Sequence, residues 1–315
     1  MARNDGFCGA GVVRKLFLLA LVALIAGVGV FWLVTKPVIV SAAALPAYTP
    51  NVANGKAVFD AGGCASCHGV AGEPRTMLGG GLAIPSPFGT FHVPNISPHK
   101  QNGIGNWSEA DFINAVKHGT SPAGEHYYPS FPYGSYVHAT DNDIRDLFAY
   151  IKTLPPLSGR ARPHDVKFPF NIRRLVGGWK FLFMDDKPFV PDPKQSAAWN
   201  RGAYLVNGLG HCAECHSPRN FLGGIVASQR FAGGPNPEGE GWVPNITRKG
   251  LKDWSEKEIA WFLKTGETPG GDTAGGSMVR VIKNTSELSD EDRAAMAAYL
   301  KSLPAVDGPP RPRKG

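Results

Sequence analysis

Cys64-Ala65-Ser66-Cys67-His68 and Cys212-Ala213-Glu214-Cys215-His216 each place two thiols three positions apart and an imidazole directly after them. On one helical turn, that spacing lets both thiols form thioethers with a porphyrin's vinyl groups while the histidine binds the iron, which is covalent c-type haem attachment. A Cys-x-x-Cys pair alone serves zinc sites and redox dithiols equally well. The histidine following both pairs selects haem. The sequence therefore calls for two covalently bound haem c groups, held by Cys64, Cys67, Cys212 and Cys215, with His68 and His216 as proximal iron ligands. Cys8 has no partner and precedes the apolar segment, so it reads as a reduced cytoplasmic thiol.

Such motifs need elements to position them, and 315 residues suffice for two compact domains. Hydrophobic content of 43% and charged content of 19% match an ordinary folded protein, so disorder is excluded except in the basic, proline-rich tail Gly308 to Gly315. Leu16 to Val34 is free of charge; as a helix its 19 residues span about 28 Å, the hydrocarbon thickness of a bilayer. Arg3, Arg14 and Lys15 precede this stretch and only Lys36 closely follows, an asymmetry that keeps the amino terminus cytoplasmic and exports the rest. The competing reading is a signal peptide cut near Ser41 to Ala44, where the residues are small. Both readings put the haem-bearing part in the periplasm. There a net charge of +7 fits a docking face for an acidic redox partner or anionic lipid, and nucleic acid is excluded as a partner.

The two halves repeat. Cys67 and Cys215 are 148 residues apart, Val93-Pro94-Asn95-Ile96 recurs 150 residues later at Val243, Trp107-Ser108-Glu109 recurs 147 later at Trp254, and Tyr150 recurs 149 later at Tyr299. Near-constant offsets indicate duplication of one fold. Ser108 with Asp111, and Ser255 with Glu258, predict capping boxes; Trp107 with Phe112 predicts a hydrophobic staple, an arrangement repeated at Trp254 to Ile259; Gly119 and Gly266 predict helix stops. Thr140 with Asp143, and Ser289 with Asp292, open final helices that run to Leu154-Pro155 and Leu303-Pro304. An earlier helix carrying Gly55 and Phe59, or Gly202 and Tyr204, precedes each haem motif. No continuous strand pattern appears, so the expected fold is all-α. The expected organisation is a cytoplasmic segment 1–15, a transmembrane anchor 16–35, a first domain 45–160, a linker 161–197, a second domain 198–305 and a tail 306–315. The linker's aromatic and proline-rich run, Pro163 to Pro193, reads either as packing between the domains or as a partner-docking or membrane-surface segment.

At these residues the chain resembles the membrane-associated c-type cytochromes that serve as electron-transfer subunits of periplasmic alcohol, aldehyde and gluconate dehydrogenases. The resemblance runs from about Asn51 to Ala305, through both haem motifs, both Val-Pro-Asn-Ile segments, Gly103-Ile104-Gly105-Asn106-Trp107-Ser108 and Tyr128-Pro129-Ser130-Phe131-Pro132-Tyr133. It implies tandem class I cytochrome c domains. Many relatives carry three such domains, and this chain carries two.

The resemblance also bears on the sixth ligand, which sets the potential of each iron. Met278, in Gly275-Gly276-Ser277-Met278-Val279, lies where relatives place their ligand methionine, and a loop methionine among glycines has little packing reason to be there. The alternative, Met296, falls in the final helix and reads as core. For the first haem, Met77 and Met184 lie outside the ligand loop, and relatives place methionine where Phe131 or His138 stands. Phenylalanine cannot ligate, so His138 is the expected ligand, with His126 as its rival and an open iron as the third option. His92, His99, His118, His164 and His211 read as surface or hydrogen-bonded residues, and Trp107 and Trp254 as staple residues with haem propionates as alternative partners.

The resemblance implies an electron carrier that takes electrons from a periplasmic or membrane dehydrogenase and passes them to a soluble cytochrome or terminal oxidase. Imidazole favours ferric iron more than thioether does, so the first haem should have the lower potential and pass electrons to the second. Three rival readings are a dihaem peroxidase, which needs an open iron; a thiosulfate-oxidising cytochrome, which needs a cysteine ligand outside the haem motifs; and a cytochrome subunit of a respiratory complex.

Overall fold

A computed structural model describes residues 7–159 and 162–311. Met1 to Gly6, the Arg160-Ala161 junction of the expected domain boundary, the end of the basic tail from Pro312, and the Cys8 side chain lie outside the described residues.

The chain begins with α1, Phe7–Val34, a 28-residue helix whose apolar side chains from Val12 to Val34 are exposed apart from the half-buried Phe31. In water such a surface is unfavourable; in a bilayer it is required. The first domain contains α2 (Val52–Ala61), α3 (Cys64–His68), strands β1 (Ala83–Ser86) and β2 (Gly89–His92), α4 (Glu109–His118), α5 (Tyr133–Tyr136) and α6 (Asp141–Lys152). The linker supplies β3 (Asp165–Val166) and α7 (Arg173–Phe183). The second domain holds α8 (Ala197–Tyr204), a π-helical turn Leu205–Leu209, α9 (Ala213–His216), β4 (Gly234–Pro235), β5 (Trp242–Val243), α10 (Glu256–Thr265), α11 (Met278–Thr285) and α12 (Asp290–Ser302).

Each domain is built on one close helix crossing. A Cβ placed on Gly55 of α2 would lie 2.0 Å from the Asp146 carbonyl oxygen of α6, and one on Gly202 of α8 would lie 1.9 Å from that of Ala295 in α12. Only glycine lets the backbones approach that far. The expected capping boxes close at Ser108 with Asp111 and at Ser255 with Glu258, and Gly119 and Gly266 end those helices at φ 55 and 79. At Thr140 and Ser289 only the cap half forms, with each hydroxyl accepting from the backbone three residues on. The reciprocal acids are committed elsewhere: Asp143 accepts from Asn54 and Tyr204, and Asp292 from Arg201. Those acids tie helices together, which is worth more to the fold than a second cap bond.

The fold is mostly helical, with an addition to the expected all-α architecture. β1, β2 and β3 form a three-stranded antiparallel sheet, and β4 and β5 a two-stranded one. Strands of two to four residues are too short to show a period, so the sequence pattern misses them. The sheet also settles part of the linker, because β3 pairs with β2 at Gly89–Val166 and Thr90–Asp165 and so packs on the first domain.

The two domains share one hydrophobic core cluster. Polar bonds cross the boundary too: Ser66 Oγ donates to the Arg280 carbonyl, Arg75 to Asn284 Oδ1, Ser135 to Glu214, and Tyr204 to Asp143.

Candidate haem sites

In each domain the haem motif follows a helix that ends in glycine. Gly63, at φ 65, turns the chain from α2 into α3, which is the motif itself. In the second copy the π-helical turn and His211, at φ 38, bring the chain to Cys212 and α9. Widened turns of this kind occur where a helix must re-aim a functional group.

The proximal histidines are held identically. His68 Nδ1 lies 2.8 Å from the Pro94 carbonyl oxygen, and His216 Nδ1 lies 2.8 Å from that of Pro244. The duplicated Val-Pro-Asn-Ile segments therefore have a job: their proline carbonyl accepts the Nδ1 proton, which fixes the tautomer and leaves Nε2 unprotonated as a metal ligand. Burial pushes the His68 pKa down to about 4 and lowers that of His216, so both imidazoles stay neutral. Burial raises the Cys64 thiol to about 12 and Cys212 to about 11. Asn95 and Asn245 brace these segments, each accepting from the backbone two residues on and donating to a carbonyl beyond the final helix.

Both motifs open into one continuous cavity of about 2480 Å³. All four motif cysteines, His68, His216, Phe131 and Met278 line it, as do Trp107 and Trp254. The donor set fits two haem groups: paired thiols, a neutral imidazole with its outer nitrogen committed, and apolar walls.

The residues at the expected sixth-ligand position differ between the copies. The antiparallel bridge Thr120 to His126 in the first domain has its counterpart in Glu267 to Thr273, an offset of 147 residues. The same offset sets Ser130-Phe131 against Ser277-Met278. Phe131 and Met278 are thus equivalent, and both line the cavity. Met296 also reaches the wall, but from the buried face of α12.

The structure does not bring His138 into this cavity. Its Nδ1 lies 2.6 Å from the Lys187 carbonyl oxygen, and a Cβ on Gly208 would sit 3.7 Å from the His138 Cβ, so the residue lies where the linker and the second domain meet. The rival His126 is buried elsewhere, with Nε2 2.9 Å from the Thr35 carbonyl oxygen. Met77 and Met184 are absent from the cavity wall. Of the other histidines, His92 pairs through Nε2 with Asp165 and His164 accepts from the His92 backbone, so both are hydrogen-bonded as expected.

His211 was missed as an interface residue. It lines the cavity, packs edge-on against Tyr136, and sits 3.6 Å from where a Cβ on Gly63 would be. The residues just before each haem motif therefore touch. The signal available to the sequence was its place one residue before Cys212, which carries no information without the partner domain.

Two Cys-x-x-Cys-His helices on one cavity, each with a braced proximal imidazole, define a dihaem c-type electron-transfer protein. The cytochrome c family model matches residues 52–155 and 200–304, and the chain belongs to that family. It is 51% identical over 292 residues to a diheme cytochrome c-type protein of Cereibacter sphaeroides, covering 92% of this chain and 97% of that one. It is 42% identical over 250 residues to a nicotinate dehydrogenase subunit of Pseudomonas putida, covering 79% of this chain and 21% of that one. With the fructose dehydrogenase cytochrome subunit of Gluconobacter japonicus the identity is 38% over 289 residues, covering 90% and 58%. The chain thus spans nearly all of the first relative and less than two thirds of the other two.

Proposed function

We propose that this chain is a membrane-anchored electron relay in the periplasm. It would accept electrons from a dehydrogenase of the alcohol, aldehyde or sugar-acid type and deliver them to a downstream cytochrome or oxidase. Supporting a dehydrogenase donor are relatives named as subunits of nicotinate and fructose dehydrogenases. Supporting an anchor are the charge-free apolar stretch Leu16 to Val34 of α1 and the cationic Arg14 and Lys15 just before that stretch.

The observation that carries the relay is the single cavity joining two haem motifs whose preceding residues touch. Haem supplies one-electron chemistry when bound. The chain's residues hold it: Cys64 and Cys67, or Cys212 and Cys215, through thioethers, and His68 or His216 at the iron. Met278, which lines the cavity, would complete the second site. In the first, Phe131 stands in the methionine's position, and His138, which is not among the residues lining the cavity, would have to turn inward to ligate. We take the first site to have His68 as its one protein ligand, since His92 and His164, which also line the cavity, are engaged with Asp165 and the His92 backbone. A site without a methionine at the iron has the lower potential, so electrons would enter at the first domain and leave from the second.

An anaerobic redox titration of the purified protein tests this. Two separated waves are expected, the lower one missing when Cys64 and Cys67 are replaced by serine. A single wave accounting for both groups would overturn the assigned direction of flow.

A further inference from the structure

Ser66 stands between the two cysteines of the first haem motif, yet its hydroxyl serves the second domain. Its Oγ donates to the Arg280 carbonyl oxygen at 3.0 Å and accepts from the side-chain amide of Asn284. Both residues lie in α11, the helix that begins with Met278. Arg75 adds a second hold from the same side. One of its guanidinium nitrogens reaches Asn284 Oδ1 at 2.7 Å and Asp60 Oδ1 at 3.0 Å. Asp60 is a buried carboxylate of α2 that also accepts from Lys56, so the first domain fixes the arginine that in turn fixes α11. Little space separates the two surfaces: a Cβ on Gly63 would lie 3.3 Å from Asn284 Nδ2.

Near Met278, α11 has few other polar side-chain restraints. Among the described residues, Ser277 makes no side-chain cap bond, and a Cβ on Gly275 or Gly276 would meet nothing within 4 Å. Both glycines are exposed. The second domain grips the far end of the helix, where Thr285 donates to the Leu263 carbonyl of α10. At the near end it offers Glu238, 3.3 Å from the Arg280 guanidinium, a pair exposed enough for solvent to screen. The part-buried bonds from Ser66 and Arg75 are the firmer hold.

The arrangement is crosswise. Glu214 occupies the place in the second motif that Ser66 occupies in the first, and its Oε1 accepts from Ser135 of α5, the helix that follows Phe131. Each motif therefore grips the helix beside the other domain's ligand loop. Ser66 is flanked by Cys64 and Cys67, so thioethers at those cysteines restrain it from both sides.

We propose that Ser66 and Arg75 are positioning residues for the second haem: through Asn284 and the Arg280 carbonyl they hold α11 so that Met278 stays at the iron. The second site thus takes the restraint on its sixth ligand from the first domain. This rests on the reading of Met278 as the second iron's ligand.

The test uses the full-length haem-loaded protein and compares Ser66→Ala, Arg75→Leu and the two combined with Ser108→Ala, which loosens the first domain away from α11. Intact mass checks that each carries two haems. Imidazole is titrated into the oxidised protein, and near-infrared magnetic circular dichroism follows loss of the histidine–methionine signature, which reports the second iron. The combined variant should give up its methionine at imidazole concentrations about tenfold lower than the unmodified protein, because two net hydrogen bonds holding α11 are gone. Its upper midpoint potential should fall as methionine ligation weakens. Ser66→Ala alone removes one hydroxyl and should shift the titration about threefold, so the question stays answerable if the combined variant fails to retain both haems. Ser108→Ala should titrate as the unmodified protein does. Equal sensitivity of Ser66→Ala, Arg75→Leu and the unmodified protein would overturn the brace and leave Met278 as ligand. A matching shift in Ser108→Ala would trace the effect to general loosening and also overturn the brace. Absence of the signature from the unmodified protein would overturn the Met278 reading and the proposal with it.

Discussion

The first and second domains share everything that grips a porphyrin and differ where the iron's last position would be filled. Each has a glycine-mediated helix crossing, at Gly55 and Gly202. Each has an imidazole held 2.8 Å from a proline carbonyl oxygen, and a tryptophan in the cavity wall. Against that background Phe131 replaces Met278 at an equivalent position. The comparison separates two jobs. Packing, caps and the proximal brace are needed to hold the group and so persist in both copies; the loop residue proposed to tune the iron contributes little to folding and is free to diverge.

The comparison breaks most visibly if one copy is disarmed. Replacing Cys64 and Cys67 with serine should lower the covalent haem count from two to one, read by intact mass, and loosen the first domain, whose core wraps the cavity. Retention of two haems would show that thioethers to this motif are not the attachment. Next come the helix crossings. Gly55→Ala and Gly202→Ala each force a methyl group into a backbone carbonyl, and each should cost about 1–3 kcal/mol in denaturant unfolding. Loss in only one of the two would mean the domains do not share that crossing energetically. The smallest effect is at the capping boxes, where Ser108→Ala and Ser255→Ala should each cost about 1 kcal/mol. A markedly larger loss at one would sharpen the comparison by exposing a load that the other copy does not carry.

Much of this was legible in the residues. The haem motifs, the duplication, the caps at Ser108 and Ser255 and the stops at Gly119 and Gly266 are local signals, read over a few positions. The role of the Val-Pro-Asn-Ile repeats was not legible, because it depends on a carbonyl 26 residues from His68 in one copy and 28 from His216 in the other. The neighbours of His138 were not legible for a similar reason: its contact with the Lys187 carbonyl joins residues 49 positions apart. The short strands carry no period, and β3 lies in a segment read as linker.

Low-temperature electron paramagnetic resonance with near-infrared magnetic circular dichroism of the oxidised protein tests the central claim, that the two sites are ligated differently. The account predicts one low-spin histidine–methionine iron, lost in Met278→Leu, and one high-spin iron unchanged by His138→Ala and converted to histidine–methionine by Phe131→Met. Two histidine–methionine signals in the unmodified protein, or a bis-histidine signal that disappears in His138→Ala, would contradict it.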